Sequence, residues 1–162
     1  MKSSFLTTAL VTIFLCQYGK SQDKDSVVML PPVTITSFVM INQELNKSFE
    51  KSFPEAYDLH WYKLDRDYLA KFIKDDLKHQ SLFKKNGIMK YDITYGGESN
   101  LPGDIQKIIK DGYSDFKITN AAKVIRNDQD FWIVNLEGMN NYVVARVENG
   151  DVEEVKRIKK SE

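Results

Sequence analysis

One arrangement occurs twice along this chain: an amphipathic helix, then hairpin-linked strands, with an Asn-Gly pair before the last strand. That recurrence constrains the fold more than any other feature. The first helix is predicted from Asn42 to Phe53. Asn42 can cap it, Glu44 lies in the first turn where the helix dipole favours a negative charge, and Pro54 stops it. Ile41, Leu45, Phe49 and Phe53 recur every four residues and lay a single apolar stripe along it, as packing on a sheet requires. Strand-like runs follow at Tyr57–Leu64, Asp67–Ile73, Gln80–Phe83 and Ile88–Tyr95. Between the last two, Asn86-Gly87 is a strong hairpin signal, because both residues accept positive φ.

The second pass keeps the order. Leu101, Ile105, Ile108 and Ile109 form an apolar stripe. Pro102 is expected in the first turn, where its missing N–H costs nothing, and Gly112 is expected to stop the helix. Strand-like runs follow at Phe116–Ile125, Asp130–Leu136, Asn141–Val147 and Asp151–Ile158, with Asn149-Gly150 closing the last hairpin. The last run is read as a strand although Val152, Val155 and Ile158 are spaced by three, a helical period. Phe53 and Tyr113, like the two Asn-Gly pairs, lie about 60 residues apart. The expectation is an α+β fold of two tandem units, each a helix plus a four-stranded antiparallel sheet, at 41–97 and 98–160. A single unit covers only one face of a small sheet, so the two are expected to pair into one two-layer domain.

The N-terminus reads as an export signal over residues 1–21. Lys2 supplies positive charge, and Phe5 to Leu15 is apolar but for threonines, too short for the roughly 20 residues of a membrane span. Gly19 and Ser21 are small, so cleavage is predicted between Ser21 and Gln22, releasing a periplasmic or secreted protein. Phe14 and Leu15 are bulky, which speaks against lipidation at Cys16. Cys16 is the only cysteine, so cleavage leaves no thiol for a disulfide, a zinc site or a nucleophile. A mature chain of about 140 residues folds without such staples. Residues 22–40 read as an extended leader in which Pro31-Pro32 breaks any helix, and Val33 and Ile35 either add a short edge strand or belong to a mobile linker. A formal net charge of +0 argues against nucleic acid, which demands a basic footprint. No later apolar run is long enough to span a membrane.

Several short motifs carry a family resemblance by their order and spacing. They are Phe53-Pro54-x-Ala56-x-x-Leu59-x-Trp61, then Tyr68-x-Ala70-x-Phe72, then Asn86-Gly87, then Leu101-Pro102 before an isoleucine-striped helix. From Ile41 onward the chain resembles the PepSY-like, beta-lactamase-inhibitor-protein-like (BLIP-like) family of Bacteroidetes periplasmic proteins. The resemblance implies a tandem fold of helix plus four-stranded sheet and a periplasmic place. The names of relatives add inhibition of a secreted enzyme or regulation by calcium. The chain departs from the usual pattern in two places: asparagine replaces the customary aspartate of the first turn, and Arg146 stands where an apolar residue is common. Loss of a carboxylate weakens the calcium reading.

Candidate chemistry is sparse. For calcium, Asn127-Asp128-Gln129-Asp130 and Glu148-Asn149-Gly150-Asp151 offer oxygens, but without EF-hand spacing and where hairpin turns already favour these residues. The expected cofactor is therefore none, with weak calcium binding as the alternative. His60 and His79 open no metal-binding spacing, and His60 is expected to face solvent beside Leu59 and Trp61. No GxSxG elbow or glycine-rich phosphate loop is present. Asp65, Asp67, Asp75 and Asp76 are close in sequence, and turn carboxylates are ordinarily just solvated. The less ordinary feature is apolar residues on both faces of two matching strands. With Trp61, Tyr68, Ala70 and Phe72 facing the helices, Tyr62, Leu69 and Ile73 turn the other way. With Trp132, Val134 and Leu136 inward, Phe131 and Ile133 also turn outward. A solvated sheet face would be polar there, so these five residues are the candidate interaction face. The sequence thus predicts an exported, non-enzymatic binding or inhibitory module that meets a protein partner through a sheet face. The alternative is a small envelope structural or calcium-responsive protein.

Overall fold

The structure, a computed structural model, describes residues 35–36, 39–127 and 129–161. The expected signal peptide, its cleavage point at Ser21 and Gln22, and most of the leader lie outside these residues. Strand β1, Ile35–Thr36, pairs antiparallel with Leu64 and Lys63, the edge-strand alternative of the two readings of the leader.

Helix α1 covers Gln43–Ser52. Asn42 fixes both its start and its seat. Its Oδ1 accepts from the Leu45 N–H at 2.8 Å, and its Nδ2 donates to the Lys85 carbonyl at 3.1 Å. The helix is thereby tied to the turn that Asn86 and Gly87 make. Gly87 has φ +77°, and a Cβ there would collide with the Ser48 side chain on α1. Strands β2 (Tyr57–Leu64), β3 (Asp67–Lys74), β4 (Leu77–Lys84) and β5 (Met89–Gly96) follow. Next come a 3-10 turn at Glu98–Asn100 and helix α2 (Gly103–Gly112). The chain closes with β6 (Lys117–Arg126), β7 (Gln129–Glu137), β8 (Asn141–Glu148) and β9 (Asp151–Lys159).

Three details differ from the sequence expectation. Strand β4 is longer than Gln80–Phe83, because Asp75 and Asp76, with φ 51° and 59°, make a two-residue turn with positive φ at both positions. Such hairpin turns usually carry Asn-Gly, and aspartate tolerates the same left-handed backbone less often. Pro102 precedes the first turn of α2 as its N-cap instead of lying within it. Gly112 is the last helical residue and not a left-handed stop. The chain leaves the helix at Tyr113 (φ −138°), whose N–H still bonds to the Ile109 carbonyl. Strand β9 is a strand, as expected, and carries a bulge. Val144 pairs with Lys156 and Ala145 with Glu154, so Val155 is the extra residue.

Among the described residues the sheet is a meander in chain order, β1 to β9, with every pairing antiparallel. Cross-strand partners share a face. Ala70, Ser81 and Asp92 are successive partners from β3 to β5, and Gly96, Ala121, Val134 and Ala145 from β5 to β8. Asp92 and Gly96 are four residues apart on one strand, so both ladders lie on one face. Both helices pack there. Leu45 and Phe49 of α1 bury themselves against Tyr68, Ala70, Phe72 and Phe83, and Ile109 of α2 against Ile118, Val134, Leu136 and Val143. The result is an α+β, two-layer arrangement with two helices on one side of the antiparallel sheet. Among the described residues the opposite side carries no helix.

Candidate functional site

The helix-free face is built by three neighbouring ladders. In the first, Tyr62 pairs with Leu69, then Leu82, then Tyr91. In the second, His60, Lys71, Gln80, Ile93, Val124 and Phe131 succeed one another from β2 to β7. The third runs Ile73, Lys78, Tyr95, Ala122, Ile133, Arg146 and Glu153, from β3 to β9. All five candidate residues therefore sit on this one face. Tyr62 is the direct neighbour of Leu69, and Ile73 and Ile133 are members of one ladder. Each of the five is half-buried, an ordinary result of close neighbours on a pleated surface. His60 faces out as expected, with its side chain 62% exposed.

Two cations rest on the aromatic members. The Lys71 Nζ lies 5.0 Å from the centre of the Tyr62 ring, and the Arg146 guanidinium 4.3 Å from that of Phe131. Arg146 also holds Glu148 at 2.7 Å. A groove of about 470 Å³ opens on the face among His60, Tyr62, Lys71, Ile73, Lys78 and Tyr95. A second, of about 600 Å³, lies among Leu82, Lys84, Tyr91, Ile93, Arg126 and Phe131. At the rim of the first, a bulge in β2 puts Asp58 in left-handed backbone (φ 53°), with its carboxylate 3.0 Å from His60 Nε2. Burial, and next the neighbouring Tyr91, raise the Tyr95 phenol above its ordinary range. Tyr95 thus stays a neutral donor and acceptor at neutral pH.

Sequence reasoning missed the middle of this face: Leu82, Tyr91, Ile93, Tyr95 and Val124. The signal was present in the alternation of β4 and β5, but an inverted pattern hid it. Inward positions there include Ser81, His79, Asp92 and Thr94. The Asp92 carboxylate, 3% exposed, accepts from the Ser81 hydroxyl, from Thr94 Oγ1 at 3.3 Å and from His79 Nδ1 at 3.2 Å. The cluster lies between the two helix-covered cores, and Phe72 stacks on His79 with centroids 5.0 Å apart. In it the aspartate, not the histidine, is the central group. A hydrolytic relay needs the histidine in the middle, next to the nucleophile.

The remaining carboxylates are dispersed or engaged. Asp65 and Asp67 stand at one end of β3 and Asp75 and Asp76 at the other, an eight-residue strand apart, roughly 25 Å. Asp67 holds Lys90, Asp75 holds Lys74 and Asp76 accepts from the Tyr57 hydroxyl. In the two turns weighed for calcium, Asp130 binds Lys123 and Glu148 binds Arg146; Asp128 lies outside the described residues. Among the described residues no three His, Cys, Asp or Glu side chains gather as metal ligands.

No protein-family model and no curated protein sequence matches this chain. Solved structures do. A BLIP-like protein from Bacteroides fragilis superposes with a TM-score of 0.65 at 16% identity, covering 77% of this chain and 92% of its own. A DUF2874 family protein from Bacteroides ovatus gives 0.62 at 16% identity, covering 75% of this chain and 89% of its own. One from Bacteroides uniformis gives 0.60 at 14%, covering 74% and 90%. The fold is therefore shared with BLIP-like proteins, as the sequence resemblance implied. None of these names is that of an enzyme, and another such structure, from Bacteroides eggerthii, bears a name suggesting the periplasm. Among the described residues no helix is long and apolar enough to cross a membrane.

Proposed function

We propose that this protein is an exported, non-enzymatic binding or inhibitory module that takes a protein partner on its helix-free sheet face. The observation that carries this reading is the set of three ladders. They gather Tyr62, Leu69, Ile73, Phe131 and Ile133 with further tyrosines and aliphatics on one rigid surface that no element of the described fold covers. Rigid aromatic and aliphatic anchors concentrate binding energy in protein interfaces, and an apolar face of this extent is uncommon on a surface that meets only water. The fold shared with BLIP-like proteins and the export-like N-terminus support the same reading. The two halves are, in this account, copies of one PepSY-like unit. In support, α1 and α2 end alike, on Phe53 (φ −132°, ψ 67°) and Tyr113 (φ −138°, ψ 50°). Affinity capture from the envelope fraction of the source organism tests the proposal, with the wild-type chain and a Leu69→Asp/Ile133→Asp variant as parallel baits. A protein retained by the first and lost from the second is the expected result. Equal retention would remove this face from the interaction.

A further inference from the structure

The cations of the helix-free face are not spread evenly over it. Along β4 the outward residues are Lys78, Gln80, Leu82 and Lys84, so lysines close both ends and the middle is weakly polar or apolar. Neighbouring strands reinforce the pattern. Lys71 joins Lys78 in the first groove, and Arg126 joins Lys84 in the second. Between them lie Leu82, Tyr91, Ile93 and Val124, all half-buried. Among the described residues, Lys71, Lys78 and Lys84 have no carboxylate partner, whereas Lys90 nearby is held by Asp67. Lys78 and Lys84 are six residues apart on one strand, which is about 20 Å at ~3.3 Å per residue.

We infer that this face receives an extended segment of a protein partner with acidic groups at both ends, about six residues apart, and an apolar middle. The inference rests on the reading of the face as a docking surface and specifies what docks there. The acidic ends meet Lys71 and Lys78 on one side and Lys84 and Arg126 on the other. The middle covers Leu82, Tyr91 and Ile93. A uniform polyanion fits poorly. A nucleic-acid strand carries a charge about every 3.4 Å and would lay several of them on the apolar centre, in a chain whose formal net charge is +0. Separated charges at the rim steer and orient a partner more than they bind it, and the apolar centre supplies the contact energy.

The test uses the full chain and fluorescein-labelled synthetic peptides read by fluorescence anisotropy. One peptide carries acidic residues at both ends, six apart, around an aliphatic and aromatic centre. A second has the same composition with its acids in the middle. A third has lysines in place of the acids, and a heparin-derived octasaccharide stands for a uniform polyanion. The end-acid peptide is expected to bind at least tenfold more tightly than the other three. Lys78→Glu with Lys84→Glu should weaken it tenfold or more and let the lysine-ended peptide bind in its stead. Lys51→Glu with Lys107→Glu, exposed on the two helices, should leave binding unchanged. Equal or tighter binding of the middle-acid peptide or the octasaccharide overturns the inference. So does failure of every peptide, or indifference to the Lys78 and Lys84 reversals. The docking reading is judged separately, by whether Leu69→Asp/Ile133→Asp loses a captured protein. It survives if that loss occurs while the peptides fail.

Discussion

Asp92 is a carboxylate buried on the inner face, and its three hydrogen-bonding neighbours explain how it is tolerated. Ser81, Thr94 and His79 all direct donors at it, which offsets the cost of removing the group from water. Asp92→Ala would leave these donors without their acceptor in a site where Ser81 is 0% exposed. We expect a loss of about 3 kcal/mol, the scale of breaking a buried charged cluster, read as a lower denaturation midpoint with an unchanged slope. Asp92→Asn should lose less, because it keeps one acceptor oxygen; an Asn variant as unstable as the Ala variant would contradict this account. This cluster was not legible in the sequence. Strand alternation assigns inward positions by hydrophobicity, and here the inward residues of β4 and β5 include polar ones that satisfy one another. Tyr62, Leu69, Ile73, Phe131 and Ile133 could be placed because Trp61, Ala70, Phe72, Trp132 and Val134 beside them obey the rule.

At the scale of elements, the helices and most strands were legible because each carries its own period and its own stop. Turns were placed closely where Asn-Gly marked them and only loosely at Asp75-Asp76, where the start of β4 was drawn short. Strand β9 was read as a strand despite its spacing by three, and it is one, with a bulge at Val155. Among the described residues it is also an edge strand, and its C-terminal end is clipped to the neighbouring hairpin through Lys160. The Lys160 N–H donates to the Asn140 carbonyl and its Nζ holds Glu137 at 2.8 Å. The Lys160 hydrogen bond, and then its charge, lower the Glu137 carboxyl below the ordinary range, and Glu137 in turn raises the Lys160 ammonium. A carboxyl lowered in the folded state stabilises it above the ordinary carboxyl range, and that contribution is lost as pH falls through the lowered value. A raised ammonium stabilises below the ordinary lysine range and is lost as pH climbs through the raised value. The clip should therefore hold across neutral pH and loosen at both extremes. Glu137→Gln should remove the pair's pH dependence, so that variant and wild type converge in acid and differ at neutral pH. Salt should shrink the difference, since both groups are only partly buried and water reaches the pair. A constant difference from acid to neutral pH would show that the ion pair does not carry it.

At the scale of the whole molecule, the two faces of one sheet do different work, and aspartate placed on each should tell them apart. Ala70 and Val134 are 0% exposed beneath the helices. A carboxylate at either position would sit unpaired in a helix-covered core, at a cost above about 4 kcal/mol, so Ala70→Asp and Val134→Asp should abolish cooperative unfolding. Leu69 and Ile133 stand one residue away on the same strands, facing outward and only half-buried. Leu69→Asp and Ile133→Asp should each cost about 1 kcal/mol, because water reaches the new carboxylate and only lateral contacts are lost. Circular dichroism and urea denaturation of the four variants provide the comparison. The sequence led to this asymmetry through apolar residues on both faces of β3 and β7. It could not show how far the outer surface extends, because the ladders that join the two halves exist only once β5 pairs with β6. If the outward substitutions unfold the protein as the inward ones do, the face is already covered in solution, by the leader or by a second copy of the chain. Gel filtration of the wild-type chain would then separate those two, since only the second doubles the mass. If they leave the fold intact, the apolar residues there are not held in place by the demands of folding, and binding is the remaining physical reason for a surface of that composition to face water.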